Sequence, residues 1–103
     1  SALTSVALLH AQDMAQQRIM DHRGSDGSRP GERLTRSGYR WRTIGENVAA
    51  GQPNANEVVE SWLASPGHCT AIMEPRFKEM GVAYALVSGN PAIYWAQTFA
   101  TPL

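Results

Sequence analysis

The chain has 103 residues, 43% of them hydrophobic, which leaves room for one domain with one modest core and excludes a disordered segment. Lys plus Arg equals Asp plus Glu at nine each, so the charge predicts no nucleic-acid partner and no anionic membrane surface. No apolar run approaches the roughly 20 residues that span a bilayer, and the single cysteine, Cys69, has no partner for an internal disulfide. Cys69 reads as a small, half-buried apolar residue. The opening SALTSVALLH lacks a basic n-region, so no signal peptide is read there. A mature exported chain would lack one as well, which leaves export open.

Residues 2–20 carry helical periodicity. Leu3, Ala7, His10 and Met14 share a face, flanked by Val6, Ala11 and Ala15. His10 on that stripe reads as a packed, hydrogen-bonded histidine rather than a ligand. DHRGSDGSRPGERL, residues 21–34, is a loop of tight turns. GERLTRSGY follows as a short helix closed by Gly38, and WRTIGENVAAG, residues 41–51, is extended. NANEVVESWLA is a second substantial helix, with Asn54 and Glu57 as a capping box and Val58, Val59, Trp62 and Leu63 as its apolar stripe. Glu60 lies off that stripe and reads as solvated. Pro66 and Gly67 end this helix. MGVAYALV and AIYWAQTFA are strand-like and joined by the turn SGNP, residues 88–91. Helices first and strands last predict an α+β sandwich with a small, mainly antiparallel sheet. Trp62, Tyr94, Trp95 and Phe99 are expected in the core, and Trp41 stands at a loop-to-strand junction.

Three titratable residues fall at breaks rather than on amphipathic faces: His22, Glu46 after Gly45, and His68 after Pro66-Gly67. Such junctions let a rigid scaffold aim a side chain into a cleft. Two imidazoles and a carboxylate also form a first-row metal set, and a catalytic zinc keeps three protein ligands and one open position. The spacing matches no local metal motif, so only the fold can assemble the group. Otherwise these are loop residues satisfying backbone groups. Asn47 reads as a residue that hydrogen-bonds loop backbone.

Five ordered segments resemble the CAP superfamily, also called the sperm-coating-protein or SCP domain, in its short bacterial branch. They are HAQDMA at 10–15, MDHRGSDGSRPGERLTRSGY at 20–39, GENVAAG at 45–51, VVESWLASPGH at 58–68, and the closing pair MGVAYA and YWAQTFA. The resemblance covers essentially the whole chain. It implies a three-layer α-β-α sandwich with an open cleft lined by His22, Glu46 and His68. It also implies export, to the periplasm, the cell envelope or the outside. Members have been associated with divalent metal at the two histidines, with lipid or sterol binding, and with proteolysis. No one activity is shared across the family, so fold does not fix function.

Three departures from the family pattern matter. Where many eukaryotic members place a second acid, this chain has Ser65. Where the bacterial pattern runs Arg, any residue, Asn after the histidine, it has Cys69 and Ala71. The family's usual first helix has no counterpart here, as though residues 1–103 were an N-terminally trimmed single domain. The stripe of helix 2–20 is then expected to lie partly uncovered. Exposed apolar area costs roughly 25 cal/mol per Å², so self-association through that helix face is expected.

Three functions stand side by side. In a binding module, His22, Glu46, Ser65 and His68 would hold a small polar ligand, or His22 and His68 would hold Zn²⁺ or another divalent cation. In a metal-dependent peptidase or esterase, Glu46 would be the general base beside His22 and His68. Cys69 adjoins His68, but consecutive side chains diverge, so the pair is no ready-made dyad. Lipid or sterol capture is the third reading, and no exposed apolar loop in the sequence favours it.

Overall fold

The computed structural model describes residues 1–103. Helix α1, Ala2–Gln17, is capped by Ser1, whose hydroxyl accepts the Thr4 amide. It buries Leu3, Val6, Ala7, His10, Ala11, Met14 and Ala15, the face that the helical period marks. It ends at Gln17 rather than at residue 20. Arg18 turns left-handed, with φ 57°, and the Ile19 amide reaches back to the Met14 carbonyl.

Helix α2, Pro30–Arg36, starts on a proline, and Glu32 accepts the Arg29 amide. Strand β1 spans Trp41–Ala50. Helix α3, Ala55–Ala64, begins where the Asn54 side chain accepts the Glu57 amide. Of its expected stripe, Val58 and Trp62 are buried, while Val59 and Leu63 stay largely exposed, as does Glu60. Pro66 and Gly67 do end α3, but they also open a further helix that the sequence reading treats as a turn. Helix α4 runs Pro66–Met73, because proline at a first helical position gives up an amide that has no partner there anyway. His68 therefore lies in the first turn of a helix.

Strands β2, Glu79–Leu86, and β3, Ile93–Pro102, complete an antiparallel sheet of order β1-β3-β2. The central β3 is buried from Tyr94 to Ala100. Alternation along the strands separates two faces. On one face, Val48, Tyr94 and Ala96 pack against Ala7, Ala11, Met14 and Ala15 of α1. On the other, Ala49 and Trp95 pack against Val58 and Trp62 of α3, and the Trp62 indole donates to the Val48 carbonyl at 3.1 Å. This is the expected α+β, α-β-α sandwich.

The contact of α1 with the sheet is close. A Cβ on Gly81 would lie 2.3 Å from the Thr4 amide nitrogen, so glycine is what allows this approach. The apolar stripe of α1 is therefore covered, contrary to expectation. The uncovered apolar surface is instead the outward face of the edge strand β2, where Met80, Val82, Tyr84 and Leu86 are all exposed. A groove lined by Val82, Tyr84, Leu86 and Ile93 runs along it.

Candidate functional site

Glu46 projects from β1 toward the α1 layer, in the row Glu46–Thr98–Gly81 across the sheet. Its side chain is only 2% exposed. One oxygen, Oε1, accepts from His22 Nδ1 at 2.9 Å, and the other, Oε2, accepts from Arg33 Nη2 at 2.8 Å. A carboxylate only accepts, so the His22 proton sits on Nδ1 and its Nε2 is left facing outward. The His22 side chain is 53% exposed. Its hydrogen bond to Glu46, assisted by the charges of Glu46 and Asp21, raises its pKa above the ordinary value, against partial burial and the charge of Arg33.

Arg33 ties the cluster to the loop. Its Nη2 also donates to the His22 carbonyl at 2.9 Å, and its Nη1 to the Ser28 carbonyl at 2.8 Å. His10 supports the same loop from α1. Its Nε2–H donates to the Asp21 carbonyl at 2.7 Å and lies 3.9 Å from Glu46 Oε1. His10 is thus the packed, hydrogen-bonded residue its position on the stripe predicts. Beside His22 is a polar basin of about 360 Å³ walled by Asp21, His22, Arg23, Arg29 and Pro30.

The structure joins His22 to Glu46, and no hydrogen bond or ion pair ties the His68 side chain to either. Asn47, next to Glu46, points to the opposite face of the sheet. There its Nδ2 donates to the His68 carbonyl at 3.2 Å and to Gln97 Oε1 at 3.1 Å. His68 and Ser65 thus belong to the α3–α4 layer, and His22 and Glu46 to the α1 layer. The bond is to the backbone of His68, so it fixes the start of α4 against β1. Asn47 bonds backbone as expected, but the backbone of α4.

The donor set does not fit the expected divalent metal. No three His, Cys, Asp or Glu side chains gather where they could hold one. The guanidinium of Arg33 already occupies the carboxylate that a cation would need.

The sequence reading missed Arg33. No motif marks it, because it meets Glu46 only through the fold, 13 residues along the chain. A mixed-charge short helix just after a turn-rich loop is the only trace it leaves.

The α-β-α sandwich is that of a known class, and the chain belongs to it: residues 1–99 match the CAP family, described as the cysteine-rich secretory protein family. It is 35% identical over 97 residues to "Uncharacterized protein YkwD" of Bacillus subtilis, covering 94% of this chain and 36% of that one. It is 28% identical over 94 residues to "Uncharacterized membrane protein YlbC" of the same organism, covering 91% of this chain and 25% of that one. The chain thus spans about a third or less of these relatives.

Among solved structures it is similar to an outer surface protein from Borrelia burgdorferi. The TM-score is 0.88 at 22% identity, over 99% of this chain and 74% of that one. It is also similar to an extracellular protein containing an SCP domain from Bacillus anthracis, with a TM-score of 0.85 at 25% identity, over 97% and 32% of the two chains. No helix of the chain is long and apolar enough to cross a membrane.

Proposed function

We propose that this domain is a binding module that works outside the cytoplasm and takes a small polar ligand in the basin at His22. The outer-surface and extracellular neighbours support the location. The observation that carries the reading is the engagement of Glu46. Both its oxygens accept hydrogen bonds, from His22 and from Arg33, and the side chain is 2% exposed. A carboxylate held this way, 2% exposed and bonded through both oxygens, is placed to orient His22 and Arg33 rather than to take a proton from a water as general base.

His22 Nε2 is the available group. The basin beside it sets Arg23 and Arg29 against one carboxylate, Asp21, and has no apolar wall. That composition favours a polar ligand, anions included, over a lipid or sterol.

Titration of the ¹⁵N-labelled domain with acetate and with inorganic phosphate tests the reading. Saturable shifts at His22, Arg23 and Arg29 are expected, and those at the two arginines should vanish in His22→Ala. A parallel screen with peptide and ester substrates, with and without zinc, should show no turnover. Turnover that is lost in His22→Ala would replace the binding module with the enzyme.

Self-association belongs to the same proposal, through a surface other than the α1 face. β2 is an edge strand, and no charged residue stands between Met80 and Leu86. A second copy packed face to face on this stripe would cover it on both molecules.

A further inference from the structure

The polar walls of the His22 basin divide into groups that only donate and groups that only accept. Arg23 and Arg29 are exposed, and neither guanidinium forms an ion pair. Each offers N–H donors in a planar fork that grips oxyanions. Asp21 and His22 are the acceptors. The Asp21 carboxylate takes the Arg23 amide on Oδ1 at 3.2 Å. His22 gives its Nδ1 proton to Glu46, so Nε2 of the neutral ring presents a lone pair. Glu46 is held in turn by Arg33, and His10 stands 3.9 Å from it. Groups from α1, β1 and α2 therefore all bear on the ring and fix this tautomer. Two arginines against one carboxylate leave the basin one net positive charge.

Anions differ in whether they satisfy both kinds of wall. Sulfate has only acceptor oxygens. Gripped by the arginines, it sets bare oxygens against Nε2 and Asp21, where lone pair meets lone pair. Hydrogen phosphate has the charge and tetrahedral shape of sulfate but keeps one hydroxyl. That hydroxyl can donate to Nε2 while the other oxygens accept from Arg23 and Arg29. A phosphate monoester loses its last proton near a pKa of about 6, so above that pH it presents bare oxygens as sulfate does. A site that hydrogen-bonds a hydroxyl rejects the analogue that lacks it.

With the basin taken as the polar-ligand site, on which this rests, we propose that its ligand is inorganic hydrogen phosphate, recognised by a hydroxyl donated to His22 Nε2 and by oxygens held on Arg23 and Arg29. Asp21 then works against anions that carry no proton.

Titration of the whole 103-residue chain with phosphate, sulfate and methyl phosphate tests this, at constant ionic strength and about pH 9, where the imidazole is neutral. All three probes are then dianions, and only phosphate carries a hydroxyl. Binding is read from the ¹³C signals of Cζ in Arg23 and Arg29 and of Cε1 in His22. Phosphate should bind about tenfold more tightly than either competitor, because the others forgo one hydrogen bond. His22→Phe should close the gap by weakening phosphate alone. Asp21→Asn should strengthen all three anions and keep the preference. If His22→Phe does not fold, because Glu46 has lost a partner, the wild-type ratio carries the test. Equal affinities for phosphate and sulfate would overturn the proposal and leave the basin an anion site. Methyl phosphate binding as tightly as phosphate would overturn it in favour of a phosphate ester. A preference lost in Asp21→Asn but kept in His22→Phe would overturn His22 as the acceptor. No saturable shift with any probe would overturn the basin together with its ion.

Discussion

At the scale of single residues, the chemistry of this domain turns on one buried carboxylate with two unequal partners. Arg33 is 11% exposed and Glu46 2%, so their pair is shielded from solvent. Removing one member of a buried pair leaves the other uncompensated, at a cost of about 3–5 kcal/mol. Glu46→Gln should therefore lower the urea unfolding free energy by that order, whereas Glu60→Gln, at an exposed position, should leave it unchanged within about 0.5 kcal/mol. His22 gives the cluster its pH dependence. Its folded pKa is raised, so the folded state favours the imidazolium. This contribution is complete below the unfolded pKa of about 6.5 and fades as pH rises through the higher folded value. The melting temperature of the wild type should fall across that window more than that of His22→Ala. Equal slopes in calorimetry would refute the linkage. The exposure of His22 keeps the effect small.

At the scale of elements, local rules placed most boundaries and tertiary contact placed the rest. The Asn54 cap, the proline start of α2 and the buried stripe of α1 all follow from residue types and spacing. The end of α1 and the whole of α4 do not. A non-glycine residue at φ 57° carries no sequence signal, and Pro-Gly reads as a stop because both residues break helices more often than they begin them. Gly81 shows the reverse dependence: it looks like one weak residue in a strand, yet it marks the crossing of α1 over β2. Gly81→Ala would drive a Cβ against the Thr4 backbone. The helix must shift, so the variant should lose about 1–3 kcal/mol of stability, the usual cost of overpacking. A melting curve that superimposes on the wild type would show that the helix can give way freely.

At the scale of the whole molecule, the sheet is covered unequally. α1 closes one face, and α3 with α4 closes the other only over β1 and β3. β2 is left with Met80, Val82, Tyr84 and Leu86 in water. Sedimentation of the isolated domain should show association that grows with concentration. Leu86→Lys should shift it toward monomer without changing the melting temperature, because that side chain is already 71% exposed, whereas Tyr84 packs its ring on Trp95. A clean monomer at high concentration would show that the stripe is tolerated bare.

By itself the sequence determined the fold class, the order of the main helices and strands, the buried stripe of α1 and the aromatic core. These are matters of period, turn chemistry and residue type, which local physics constrains. Only the tertiary structure decided what meets Glu46. It placed Arg33 and His22 on the carboxylate and set His68 in the first turn of α4, with its carbonyl bonded to Asn47. Strand alternation turns neighbouring residues to opposite faces, and no motif says which layer will pack on which face.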